Sequence, residues 1–238
     1  MIIDCISDLH GNFPKLEGGD LLIVAGDLTA RDTFEQHCDF KKWFYEQPYK
    51  KRVIIAGNHD NQMKTLPADD LVFSTYNTKT GEQASYASYL MDSGTEFEGL
   101  KIWGSPWTSR FPGINPHCCA FTGENDEEIA PKFDLIPSDV DILITHSPPF
   151  TIRDMTTCVH QVGSPSLMAH HISRLRPKLW VFGHIHEGYG QEGPYQWNGT
   201  RYVNASHVNE RYQPINKPIR IIMEEGKVVG QVEENEKD

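Results

Sequence analysis

The chain opens on a short apolar run at residues 2 to 6, and similar runs return at 21 to 25, 53 to 56, 142 to 144 and 179 to 182. Each is rich in Ile, Val, Leu or an aromatic residue, and short continuous runs of this kind, bounded by Gly, read as fully buried strands. Every run gives way to polar residues: Asp8 and His10, then Asp27, then "NHDN" at 58 to 61, then His146, then His184 and His186. Three of these ends pass through a glycine, as in "AGD", "AGNHD" and "FGHIH". Turn chemistry explains any one of them. It does not explain five strand ends that all carry Asp, Asn or His. Ligands of open α/β sheets bind just outside the carboxyl ends of the strands, so the five ends are expected to converge on one site.

The remaining pattern supplies connections. A helix is predicted over 34 to 46, with Thr33 and Gln36 as a capping box. A second helix has Ser164 as cap, Pro165 at its first position and Pro177 to stop it. Its apolar face is expected to hold Leu167, Met168, His171, Ile172 and Leu175, which makes His171 a core histidine rather than a ligand. "LVFSTY", "YASYLMD" and "LKIWGSPW" read as further strands. "RYVNAS" and "IRIIMEEGKVVGQV", the latter turning at Glu225-Gly226, read as antiparallel. Strands alternating with helices imply a largely parallel sheet, and the antiparallel part calls for a second sheet packed against it, with helices outside. Residues 108 to 135 are expected to form a long loop. Without a repeat or linker to divide it, the chain reads as one domain over residues 1 to 238.

Composition narrows the function classes. At 238 residues with 38% apolar residues the chain can bury a continuous core, and no apolar run approaches the roughly 18 to 20 residues of a membrane span. With Asp8 already in the pattern, no secretory leader is expected. The odd count of five cysteines argues against a disulfide framework. Cys118 and Cys119 then read as small apolar residues in a reducing, cytoplasmic setting. The net charge of -11, with the "EENEKD" end as a solvated tail, disfavours long nucleic acid, which requires a basic stripe. Anionic substrates remain open to the chain when a bound metal supplies the positive charge.

Asp8, His10, Asp27, Asn58, His146, His184 and His186 form a mixed N and O donor set without thiolate, suited to Mn²⁺, Fe or Zn²⁺ in hydrolytic sites. Seven donors exceed one ion and suffice for two if one carboxylate bridges. Two such ions clamp a phosphoryl group and generate hydroxide near neutral pH. His59, beside Asn58, is left over, and is expected to face the leaving group and give it a proton. Asp60 is expected either to hold the His59 ring or to serve as a turn aspartate or helix cap.

The blocks "DLH", "GD", "GNHD", "TH" and "GHIH", in that order, resemble the calcineurin-like metallophosphoesterase superfamily. "LKIWGSPW", "ITHSPP", "RPKLWVFGHIHEGYG" and "YVNAS" are further similar to its metallophosphoesterase-domain-containing (MPPED) group and bacterial phosphodiesterase relatives. The resemblance implies a four-layer α/β/β/α sandwich with two mixed sheets. It implies one metal on Asp8, His10, Asp27 and His186, and a second on Asp27, Asn58, His146 and His184, with Asp27 bridging and catalytic alongside His59. Mn²⁺ is the first candidate, with Fe, Zn²⁺ and Mg²⁺ as the others. "GDLTARD" stands where protein phosphatases carry "DRG", which argues against that activity. His184 is kept where some weakly active animal relatives have Gly.

The expected activity is hydrolysis of small phosphodiesters or nucleotides, cyclic nucleotides among them, with no membrane partner. A phosphomonoesterase, a nuclease and a metal-poor interaction scaffold are the alternatives. The second ester arm is expected against the loop after Trp107, or near "CVHQVGS" where His160 would meet it, with packing as the other role for both residues.

Overall fold

A computed structural model describes residues 1–65, 75–76, 83–84, 87–111 and 116–231. The "EENEKD" tail and most of "LVFSTY" lie outside the described residues. In chain order the main elements begin with β1 (Ile2–Ile6), β2 (Gly19–Ala25), α1 (Phe34–Glu46), β3 (Tyr49–Ile55) and β4 (Ala87–Tyr89). Next come β5 (Ser93–Phe97), β6 (Leu100–Ser105), α2 (Asp126–Phe133), β7 (Ile142–Thr145), α3 (Pro165–Ser173) and β8 (Leu179–Phe182). β9 (Gly190–Glu192), β10 (Arg201–Asn204), β11 (Ile219–Glu224) and β12 (Lys227–Gln231) complete the set.

Two six-stranded sheets result, ordered β12-β11-β1-β2-β3-β4 and β9-β10-β8-β7-β6-β5. In the first, β1 to β4 run parallel, β11 pairs antiparallel to β1 and β12 pairs antiparallel to β11. In the second, β6, β7, β8 and β10 run parallel between antiparallel edge strands. Alternation along each strand builds the layers. Cys5, Ile23 and Val53 are in register and face inward, where they share a core with Ile144, Val181 and Val203 of the other sheet. Their neighbours Ile6, Val24 and Ile54 face outward under Phe40, Trp43 and Phe44 of α1. Leu143, Trp180 and Tyr202 likewise face outward under Ile129 and Phe133 of α2 and Leu167 of α3. The expected four layers are present.

Three local expectations need correction. The segment 108–135 is not one loop. Asn125 caps α2 by accepting from the Glu128 amide at 3.0 Å, and the Glu128 carboxylate accepts from the Glu124 amide at 2.9 Å. Ile172 does not join the apolar face of α3 but is 63% exposed, because it lies about 140° around the helix from buried Leu167. "RYVNAS" does not run antiparallel to the chain end. Its strand β10 belongs to the second sheet, parallel to β8, while β11 and β12 form the expected hairpin in the first.

Candidate metal centre

The carboxyl ends of β1, β2, β3, β7 and β8 meet at one edge of the sandwich. Bonds between the sheets fix that edge: Ser7 N–H donates to the Ala205 carbonyl at 2.8 Å and His207 N–H to that of Ser7 at 2.7 Å. All eight expected residues, Asp8, His10, Asp27, Asn58, His59, His146, His184 and His186, come together there. Four of them leave their strands in the left-handed region, with φ of 51° at Asp8, 43° at His10, 53° at Asp27 and 68° at His184. Such conformations cost non-glycine residues energy and persist where the surroundings enforce them, as at functional sites. Here the enforcement includes Asp8 N–H to the Gly26 carbonyl at 2.9 Å and His10 N–H to that of Asp27 at 3.0 Å.

Asp27 stands between two groups of donors. Its Oδ2 lies 3.6 Å from His10 Nε2, and its Oδ1 lies 3.4 Å from His146 Nε2. Around His10, the Nε2 atom of His186 is 3.3 Å from His10 Nε2 and 3.4 Å from Asp8 Oδ1. Around His146, Asn58 Oδ1 is 3.0 Å from Nε2, and His184 completes a group with Asp27 and His146. Metal–donor bonds of about 2.0 to 2.2 Å set two donors of one ion roughly 3 to 3.5 Å apart, the spacing seen here. Asp8, His10 and His186 can hold one ion, and Asp27, His146 and His184 another.

Unpaired lone pairs support the same fit. His146 Nδ1 donates to the Ala25 carbonyl at 2.9 Å and His186 Nδ1 to that of Asn209 at 3.1 Å, which turns both Nε2 lone pairs toward carboxylate or amide oxygens. Acceptors facing acceptors require a proton or a cation between them. His184 Nε2 is buried with no hydrogen-bond partner. Asp8 and Asp27 are both buried, and their ion pairs among the described residues are with histidines alone.

The electrostatics follow from burial and these neighbours. Burial opposes charge on Asp27, but His146 and His59 outweigh it and hold the carboxyl well below its ordinary range. Burial opposes charge on Asp8 too, and the bond from His186 prevails, lowering it. Burial resists a proton on His146, yet Asp27 lifts that ring to about 9. Burial pushes His10 down to about 4 and, together with His146, His184 down to about 3. These neutral rings are ready to coordinate.

Asp60 does not hold the His59 ring. It is fully buried and accepts from the Gly57 amide at 2.8 Å and the Leu28 amide at 3.0 Å, tying the loop after β3 to the loop after β2. His160 is exposed in a turn with Thr156, and Thr156 rather than His160 lines the cavity over the centre. Trp107 packs on Phe121 and donates to Asp92 at 2.8 Å, so packing is its role. Other neighbours carried no signal in the apolar pattern. Tyr212 sets its ring edge-on to His10 and His186, Phe111 stacks on His184, and Cys118 Sγ sits 3.4 Å from His59 Nδ1. Ser206, which donates to Asp8 Oδ2 at 2.9 Å, did carry one, because it follows the apolar run in "RYVNAS" just as the ligands follow theirs.

Residues 1–188 match the family model described as calcineurin-like phosphoesterase. The chain belongs to the calcineurin-like phosphoesterase family. Among its relatives, the human and mouse proteins named "Metallophosphoesterase domain-containing protein 1" are each 36% identical to it over 233 residues, 91% of this chain and 69% of theirs. One solved crystal structure superposes with a TM-score of 0.64 over 92% of this chain and 94% of its own. At 16% identity that likeness shows the fold alone. Family membership makes the chain a phosphoesterase, and the clustered donors are those such an enzyme needs for divalent metal. Among the described residues no helix is long and apolar enough to cross a membrane.

Proposed function

We propose that the chain is a single-domain, dinuclear Mn²⁺-dependent phosphodiesterase acting on small diesters, cyclic nucleotides among them. The observation that carries this proposal is the position of Asp27, whose two oxygens face different donor groups. Asp8, His10, Asp27 and His186 would hold one ion, and Asp27, Asn58, His146 and His184 the other. When bound, the ions supply Lewis acidity toward phosphoryl oxygens and a source of hydroxide near neutral pH. Burial of Asp8 and Asp27 keeps water from competing with their ligand oxygens. The backbone N–H of His59 donates to Asp27 Oδ1 at 2.9 Å and fixes the loop. The His59 side chain, 11% exposed and lining the cavity, donates from Nε2–H to the leaving oxygen and stabilises the charge that develops there.

Substrate size follows from the cavity, about 380 Å³, which suits a nucleotide-sized ester. Glu187 and Glu210 line it, and Arg110, its cation, is paired with Glu124. Such walls repel a polyanion and accept a singly charged diester. The free thiols of all five cysteines suit a reducing, cytoplasmic setting.

The test is a side-by-side rate comparison with added Mn²⁺ on bis-nitrophenyl phosphate, cyclic nucleotides, nitrophenyl phosphate and duplex DNA. Diesters should be turned over fastest and duplex DNA poorly. Monoesters hydrolysed about tenfold faster than every diester would make the protein a phosphatase. Efficient cutting of duplex DNA would make it a nuclease, and a stable metal-free protein without activity would point to a scaffold.

A further inference from the structure

Among the described residues, His59 touches no carboxylate at Nδ1; the partner of that nitrogen is the Cys118 thiol at 3.4 Å. The other ring nitrogen, Nε2, lies 4.0 Å from Asp27 Oδ2, on the side of the metal centre. The thiol is held in place by its own segment, strapped across the loop that carries Asn58 and His59. Ala120 N–H donates to the Asn58 carbonyl at 3.2 Å, and the Asn61 amide donates to the His117 carbonyl at 3.4 Å. Ala120 and Phe121 are then anchored in the core under α1. Cys118 itself lines the cavity.

A neutral imidazole carries one N–H, and the nitrogen that accepts a hydrogen bond leaves the other as donor. A thiol near neutral pH is protonated and donates weakly. We propose that Cys118 is a positioning residue: its S–H donates to His59 Nδ1 and keeps the ring proton on Nε2, the nitrogen turned toward the reacting phosphoryl group. The loop strap sets the ring plane and the thiol sets the tautomer. Without the thiol the proton is free to sit on Nδ1, and that fraction of the rings offers the leaving oxygen a lone pair instead of a donor. The kinetic consequence rests on the phosphodiesterase reading above; the tautomer does not.

The experiment therefore has two readouts on the protein, Cys118→Ala and Cys118→Ser. Nitrogen-15 spectra of the metal-free proteins report the ring, with His59 assigned by the signals lost in His59→Asn. The native ring should show Nδ1 unprotonated and Nε2 protonated, Cys118→Ala should move both toward the mixed-tautomer average, and Cys118→Ser, which restores a donor, should recover most of the native pattern. With Mn²⁺ bound, Cys118→Ala should lower kcat about tenfold on a diester with an alkyl leaving group. Its loss on bis-nitrophenyl phosphate, which needs little proton donation, should stay within about threefold, with KM and metal content retained. A native spectrum with Nδ1 protonated, or one that Cys118→Ala leaves unmoved, overturns the proposal. So does an equal kinetic loss on both esters accompanied by lost metal, which would make Cys118 a packing residue. If the native protein hydrolyses no diester at all, the functional reading fails while the ring spectra still decide the tautomer.

Discussion

Replacing Gly183 by alanine should cost the protein its metal before it costs the fold. Gly183 links β8 to His184 and its φ lies outside the left-handed region, so the perturbation is steric. A Cβ built there falls 2.1 Å from both Asp8 Oδ2 and Ser7 Oγ, whereas real Cβ contacts stay beyond 3.0 Å. Asp8 must then retreat by about 1 Å, given that close packing leaves no slack on the other side. That carboxylate accepts from His184 N–H at 3.1 and 3.0 Å and from Ser206 at 2.9 Å, so the shift disturbs Asp8 and the strand end carrying His184 together. Overpacking of this kind costs about 1 to 3 kcal/mol, and disturbed support around a metal ligand weakens affinity about 10- to 100-fold. For a chain of this size the metal-free melting temperature should fall by roughly 2 to 12 °C. Melting in chelator gives the first quantity and calorimetric titration with Mn²⁺ the second. Gly230→Ala, where nothing lies within 4 Å, is the control. Native Mn²⁺ affinity in Gly183→Ala would refute the close contact and the ligand role of Asp8 with it.

Asp27→Ala should lose most bound metal and nearly all activity, because both donor groups lean on that carboxylate; full metal occupancy by elemental analysis would end its bridging role. His59→Asn should keep its metal and lose about 100- to 10,000-fold in turnover, less on nitrophenyl esters; an equal loss on all leaving groups would reduce His59 to orienting phosphate. His171 supplies a pH test away from the centre. Burial holds it at about 4 against the usual value near 6.5, so the unfolded chain takes up a proton that the fold refuses. Its contribution is complete above pH about 6.5 and is lost toward pH about 4, by at most about 3 kcal/mol. The acid slope of stability in pH-dependent melts should therefore be shallower in His171→Gln over that window, and an unchanged slope would contradict the buried neutral ring.

How far the sequence could be read depended on whether chemistry and burial spoke in the same residues. The five inner strands were legible because both their faces are covered, and their polar ends because turn chemistry explains one Asp, Asn or His at a strand end but not five together. The start of β3 was not: Lys50, Lys51 and Arg52 precede the apolar run, and Lys51 reaches Ser88 on the neighbouring strand at 2.8 Å. α2 was hidden by its three acidic residues and Pro131, although Asn125 and Glu128 stand at capping-box spacing. β9 has three half-buried residues, Gly190 to Glu192, and carries no apolar signal at all. At the centre the clustered Asp, Asn and His residues were visible, and of their supports Ser206 alone followed the same pattern. Tyr212, Phe111 and Cys118 reach the histidines from segments whose local pattern is ordinary, so only the fold brings them there.

The acidic exterior and the metal centre are two sides of one electrostatic arrangement. Asp8 and Asp27 put two carboxylates where water is excluded, and the groups beside them are imidazoles, of which His10 and His184 stay neutral. Two divalent ions bound as proposed would give this pocket an excess of about two positive charges. Outside it the chain is negative, at -11 overall, and Glu187 and Glu210 bring that sign to the cavity itself. Attraction by the proposed ions would then reach one phosphate and stop. A second phosphate on the substrate would meet carboxylates, and a nucleic-acid backbone would meet a surface of its own sign. For the proposed activity on a small, singly charged ester, the contrast between two bound cations and a negative rim would supply selectivity without a dedicated recognition loop.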